Sequence, residues 1–84
     1  MAIHVRYFAR LRDLMGRAEE RIEPSAEVVD GASLLAHLGG RAPEIAEALD
    51  HPSVRVEVNG VLGPRTARIA DGDEVALLPP FSGG

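Results

Sequence analysis

Ile3-His4-Val5-Arg6-Tyr7-Phe8-Ala9-Arg10-Leu11-Arg12-Asp13-Leu14-Met15-Gly16 changes its hydrophobic period once, and that change decides how the rest of the chain is read. Over residues 3–8 the pattern alternates. Ile3, Val5 and Tyr7 fall on one face and His4, Arg6 and Phe8 on the other, the period of two that a half-buried strand requires. Over residues 9–15 the spacing is helical, with Leu11 and Met15 four apart and Leu14 beside them. Gly16 stands where a left-handed cap residue closes a helix. Residues 19–23 form a weak, highly charged strand whose charges suit a sheet edge.

The helical period returns at Asp30. Leu34, Leu35 and Leu38 make one stripe, Asp30 or Ser33 can cap its start, and Gly39-Gly40 ends it, so this is the principal core helix. After Pro43, Ile45 and Leu49 sit four apart on a second short turn or helix that stops near His51-Pro52. Alternation resumes at Val54, Val56 and Val58, with Arg55 and Glu57 facing away. Asn59-Gly60 then predicts a tight hairpin turn with Val61-Leu62 beginning the return strand. Residues 67–70 read as a short connecting strand, Asp71-Gly72-Asp73 as a turn, and residues 74–79 as the last strand, with Val75 and Leu77 toward the core. The fold expected is α+β: one domain over residues 1–84, with a mixed sheet packed on one main helix plus a short extra helix. A flexible tail is expected over residues 79–84.

With 84 residues, 45% hydrophobic and 26% charged, the chain is long enough for a modest core and too apolar to be disordered. Two Phe, one Tyr and no Trp make that core aliphatic. The net charge of −4 disfavours nucleic acid as a partner and suits a basic protein surface. All nine basic residues are arginine, which leaves no lysine for Schiff-base chemistry, and the absence of cysteine excludes disulfides and thiol nucleophiles. His4, His37 and His51 lie on different elements without metal-ligand spacing, so no metal is expected. Asp71-Gly72-Asp73 lacks the later ligands of a calcium loop, and Ser25, Ser33, Ser53 and Ser82 lack a nucleophile-elbow context. No apolar run approaches the roughly 20 residues of a membrane span, and Met1-Ala2-Ile3-His4 has no signal-peptide character. No membrane association and a cytoplasmic location are expected.

The end of the chain is the best candidate for the chemistry instead. Pro79-Pro80-Phe81-Ser82 leads to Gly83-Gly84, so a free diglycine carboxylate is expected at the tip of a short stiff stalk. Chain ends are often small and mobile, but frayed ends are seldom preceded by Pro-Pro and an aromatic. Two glycines thread a tunnel too narrow for any other residue. The six residues from Pro79 reach roughly 20 Å when extended, enough to enter a neighbour's pocket. Phe8 and Leu78 are large apolar residues at outward strand positions, with Leu62 beside a turn as a third. If the first and last strands pair, Phe8 and Leu78 share a face at the root of the stalk and form a docking surface.

The opening stretch Val5-Arg6-Tyr7-Phe8-Ala9-Arg10-Leu11-Arg12-Asp13-Leu14-Met15-Gly16, the Val58-Asn59-Gly60 turn, and Asp71-Gly72-Asp73-Glu74-Val75-Ala76-Leu77-Leu78-Pro79-Pro80 with Gly83-Gly84 resemble the molybdopterin synthase small-subunit family. The aromatic pair followed by A-x-x-R-[DE]-x-x-G is the more specific signal. D-G-D-E-V and the diglycine are shared by the wider ubiquitin-like sulfur carriers. Residues 25–52 match only in pattern, and several family members carry an aromatic where Leu77 and Leu78 stand.

The resemblance implies a β-grasp fold with neighbouring first and last strands. It also implies that Phe8, Leu62 and Leu78 contact a molybdopterin synthase large subunit in a heterotetramer. Gly84 would be adenylated by an E1-like adenylating enzyme that uses ATP and Mg, and then converted to a thiocarboxylate by a sulfur donor protein. The tail, Pro79, Pro80, Phe81, Ser82 and Gly83, would enter the partner's tunnel so that sulfur passes to cyclic pyranopterin monophosphate. The chain itself would bind no cofactor and hold no active site of its own. A carrier for thiamine, cysteine or tRNA thiolation, a ubiquitin-like modifier and a plain binding module remain alternatives.

Overall fold

The computed structural model describes residues 2–79, and residues 80–84 lie outside that range. The described elements run in the order β1 (Ile3–Tyr7), α1 (Arg10–Met15), β2 (Glu19–Ile22), α2 (Gly31–Gly39), α3 (Pro43–Leu49), β3 (Arg55–Val58), β4 (Val61–Gly63) and β5 (Glu74–Leu78). The five strands form one sheet in the order β2-β1-β5-β3-β4. β1 is antiparallel to β2 and parallel to β5, while β3 is antiparallel to both β5 and β4. The mixed sheet, the pairing of first and last strands, and the edge position of the charged second strand all match the sequence reading.

The alternation along β1 and β5 explains where the core sits. Ile3, Val5, Tyr7, Val75 and Leu77 point to one face and are buried, and Leu34, Leu35 and Leu38 of α2 cover them. Asp30 and Ser33 cap α2 jointly: Asp30 Oδ1 accepts from the Ser33 amide at 2.8 Å, and Ser33 Oγ accepts from the Asp30 amide at 3.0 Å. This reciprocal pair satisfies two of the donors that a helix start otherwise leaves unpaired. At the β3–β4 turn, Asn59 and Gly60 adopt φ of 52° and 82°, the positive values that a two-residue hairpin requires.

A long loop after β4 is fastened both to the start of α2 and to the segment that follows α3. The amides of Gly31 and Ala32 donate to the carbonyls of Ala67 and Arg65 at 3.3 and 2.8 Å. A Cβ on Gly31 would stand 3.0 Å from the Arg65 carbonyl oxygen and 3.2 Å from its Cα, so a larger residue here requires the Arg65 backbone to give way by a few tenths of an ångström. The Arg65 guanidinium reaches the other way, donating to the carbonyls of His51 at 2.6 Å and Val54 at 3.3 Å.

Several expectations are corrected. Residues 67–70 form no strand: Arg68 makes only an isolated bridge to Asp30, because Ile69 bonds to Val29 at the entrance to α2 and not to a sheet neighbour. The main helix is accompanied by two short helices, α1 and α3, at the two places where the sequence spacing marks them. Pro43 starts α3 with its φ already set, and Ile45 and Leu49 hold it to the core. The second and last strands each end one residue early, at Ile22 and Leu78.

One polar network sits at the margin of the core. Glu20 pairs in register with Val5, so its carboxylate faces inward from the edge strand with only 8% of the side chain exposed. Tyr7 Oη donates to it at 2.6 Å, and Arg41 grips both oxygens at 2.7 and 2.9 Å. The Arg41 hydrogen bonds hold the Glu20 carboxyl below its ordinary range, while burial first, and the Glu20 contact second, push the Tyr7 hydroxyl up. Glu20 thus binds its proton less readily when folded. Its stabilisation is whole above the unfolded value of 4.5 and is lost as pH falls from there through the lower folded value. Glu20→Gln is expected to cost about 1–3 kcal/mol at neutral pH and to flatten the loss of stability on acidification, as read from urea melts across a pH series.

Candidate functional site

Because β1 and β5 run parallel, both strands leave the sheet at the same end. Tyr7 is registered with Leu77 and both are buried. Phe8 and Leu78 follow them and turn to the opposite, outward face. The structure therefore brings these two predicted residues together. Phe8 is 39% exposed and Leu78 is half-buried opposite Arg55 of β3.

The end of β1 is set by an abrupt turn. Ala9 has φ 50° and ψ −123°, the carbonyl of Phe8 accepts from the Leu11 amide at 3.1 Å, and that of Ala9 accepts from Arg12 at 3.1 Å. Ladder pairing stops at Tyr7, one residue before the expected boundary, yet Phe8 keeps its outward placement. The Arg6 guanidinium lies 5.7 Å from the centroid of the Phe8 ring, within range of a cation–π contact. Alternation placed Arg6 outward but could not foresee that it covers the neighbouring ring.

Leu62 shares the outward face and is 52% exposed, but it is set apart from the other two. It stands opposite Glu57, which in turn is registered with Ala76 of β5. Two strand spacings, about 10 Å, separate β4 from β5, and β3 contributes Arg55 and Glu57 in between. Val61, at 68% exposure, is a further apolar residue of this edge that the sequence reading passed over. A valine directly after a tight turn on an edge strand is the signal that could have found it.

Of the tail, Pro79 follows β5 and is half-buried, whereas Pro80, Phe81, Ser82, Gly83 and Gly84 lie outside the described residues. The remaining candidates have local roles. His4 Nε2 contacts the Glu19 carboxylate, and His51 Nδ1 accepts from the Ser53 amide at 3.1 Å. Asp73 accepts from the Ala70 amide at 2.8 Å and from Asn59 Nδ2 at 3.0 Å, bonds that hold its carboxyl below the usual range and lock two turns together. Among the described residues no group of three or more His, Cys, Asp or Glu is placed to hold a metal, and no helix is long and apolar enough to cross a membrane.

Among the described residues the arrangement is an outward apolar pair, Phe8 with Leu78, beside the end of β5 at Pro79. A model of the ThiS family matches residues 5–84. The chain belongs to the ThiS family. This ThiS-family chain is 33% identical over 82 residues to the molybdopterin synthase sulfur carrier subunit of Escherichia coli strain K12, covering 98% of this chain and 99% of that one. It superimposes on SAMP1, the small archaeal modifier protein 1 of Haloferax volcanii, with a TM-score of 0.78 at 27% identity, all of both chains being covered. A complex of subunits 1 and 2 of the molybdopterin-converting factor from Helicobacter pylori 26695 also matches, with a TM-score of 0.62 at 26% identity over the full length of both chains. The fold is the ubiquitin-like β-grasp that the sequence resemblance implied.

The face assignment can be tested on the ThiS-family chain alone. Phe8→Asp is expected to change stability by no more than about 1 kcal/mol, whereas Tyr7→Ala, one residue earlier, should cost about 3–5 kcal/mol, both read from urea midpoints.

Proposed function

We propose that this chain is the sulfur-carrier subunit of a molybdopterin synthase and that Gly84 is its reactive residue. The observation that carries the reading is the end-to-end likeness to a molybdopterin synthase sulfur carrier subunit. The geometry supports it, since β5 delivers Pro79, the residue that precedes the rest of the tail in sequence, beside the outward Phe8–Leu78 pair.

The chemistry follows from the acyl group. At neutral pH a terminal carboxyl, with an unperturbed pKa of about 3.3–3.7, is ionised and resists attack because oxide is a poor leaving group. An E1-like adenylating enzyme, using ATP and Mg, joins the Gly84 carboxylate to AMP and releases pyrophosphate. A hydrosulfide equivalent released by a donor protein then attacks the acyl carbon, the C–O bond to AMP breaks with AMP as the leaving group, and a C-terminal thiocarboxylate remains. With no cysteine in the chain, no side-chain thiol can carry the sulfur in its place. The tail enters the large subunit and gives its one sulfur to cyclic pyranopterin monophosphate, its acyl carbon returning to the carboxylate, so two charged tails supply the two sulfurs of the dithiolene. The setting is the cytoplasm, where ATP is supplied.

Each tail residue has a part in this scheme. Pro79 and Pro80 enter the tunnel with φ already fixed, which reduces the entropy lost on insertion. Phe81 anchors the stalk, Ser82 spans to the diglycine, and Gly83 gives clearance. The docking surface for the large subunit is Phe8 with Leu78, and Leu62 makes a separate outlying contact. The Helicobacter pylori complex of subunits 1 and 2 supports such a partner, with a heterotetramer as the proposed assembly. The likeness to a small archaeal modifier protein favours one second reading, in which activated Gly84 is joined to a lysine of another protein.

Intact-mass measurement after incubation with the activating enzyme, ATP, Mg and a sulfur source should show a gain equal to exchanging one oxygen for sulfur. Deleting Gly84 should abolish that gain while leaving the melting temperature almost unchanged, because a terminal tip contributes little packing. No mass gain would overturn the carrier reading, and Gly84 isopeptides on other proteins would establish the modifier. Sulfur transfer to the pterin precursor only with a large subunit present separates this route from the thiamine, cysteine and tRNA pathways. Phe8→Asp should weaken large-subunit binding by about 2 kcal/mol in a titration, far beyond its effect on folding.

A further inference from the structure

On the helical side of the sheet, residues of α1 and α3 line a groove of about 580 Å³. Its apolar lining comes from Leu11, Leu14, Ala48 and Pro79, with Arg10, Glu44, Glu47 and His51 also on its walls. Leu11 is buried and Leu14 is packed against the core cluster, so the floor of the groove is continuous with the hydrophobic interior. Such a hollow gains most from a single large apolar side chain that displaces water from it.

The chain carries a suitable side chain close by. Pro79 is both a wall of the groove and the residue from which the tail continues, and in Pro80-Phe81-Ser82-Gly83-Gly84 the one large apolar group is Phe81. Two residues span at most about 7 Å, so the tether from Pro79 to Phe81 is short enough for the ring to reach the groove. Proline at 79 and 80 narrows the paths open to that tether by fixing φ at both positions. A tether this short gives the ring a high effective concentration at the groove. The other apolar surface near the same root is Phe8 with Leu78, where Arg6 already lies over the Phe8 ring.

We propose that the groove between α1 and α3 is the resting seat of the chain's own tail, with Phe81 as its occupant. The contact is intramolecular and does not depend on the sulfur-carrier reading. If that reading holds, the seat adds a step: a protein that takes up Gly84 must first draw Phe81 out, so its affinity for the tail is reduced by the fraction of chains that are docked.

Methyl-resolved NMR on the isolated full-length chain tests this directly. The expected result is cross-relaxation between the Phe81 ring and the methyls of Leu14 and Ala48, together with ring-current shifts at those methyls that Phe81→Ala removes. Ala48→Gln fills the groove from a half-exposed position of α3 and should abolish the same contacts while the amide spectrum of the sheet stays unchanged. Shifts that persist unaltered on serial dilution support the intramolecular seat. Shifts that fade on dilution mean that a second copy fills the groove, and methyl positions indifferent to Phe81→Ala mean that the tail does not; either result overturns the proposal.

Discussion

The parallel pairing of β1 with β5, in the register His4–Glu74 to Tyr7–Leu77, is the constraint on which the rest of the molecule depends. Parallel neighbours cannot be joined by a tight turn, so the chain between them has to cross over, and that crossover supplies the helices that cover the sheet. With Val5 and Val75 fully buried at the centre, the pair also occupies the most apolar part of the core. Its direction matters as much as its burial. Had β5 run the other way, Pro79 would leave from the opposite end of the sheet, far from Phe8.

The two sheet edges are handled differently. β2 exposes charged residues and turns Glu20 inward, where Tyr7 and Arg41 satisfy it. An inward carboxylate on an edge strand discourages pairing with another chain, and its bidentate partner keeps the desolvation cost from falling on an isolated charge. β4 has no such guard: Val61 and Leu62 stay exposed, and the strand is only Val61–Gly63 before Pro64. Shortness limits what can add to that edge.

Most of the fold could be read in the sequence because its signals are local. Alternation in β1, β3 and β5, the leucine stripe of α2, the Asn59-Gly60 turn and the Gly16 cap each depend on residues a few positions apart. The misjudged features depend on distant partners. Residues 67–70 have the composition of a strand, yet their hydrogen bonds go to the entrance of α2, and nothing nearby in the chain announces this. The Tyr7–Glu20–Arg41 network joins three segments that no periodicity links. For the candidate site, the pairing of Phe8 with Leu78 was conditional on strand order and holds. Leu62 was singled out beside a turn as a third outward apolar residue, and the strand order places β3 between it and the other two.

The locked turns have a practical meaning for handling the protein. Asn59 and Asp73 tie the β3–β4 turn to the start of β5, and the Gly72 amide bonds to Ala2 at 3.1 Å, so the beginning of β1 belongs to that same pole. Five residues of strand, about 17 Å, then separate that pole from the exit at Pro79. A purification handle, fluorophore or surface linker joined ahead of Ala2 is therefore carried on the reverse side of the sheet's long axis. The outlet stays clear for whatever has to reach it.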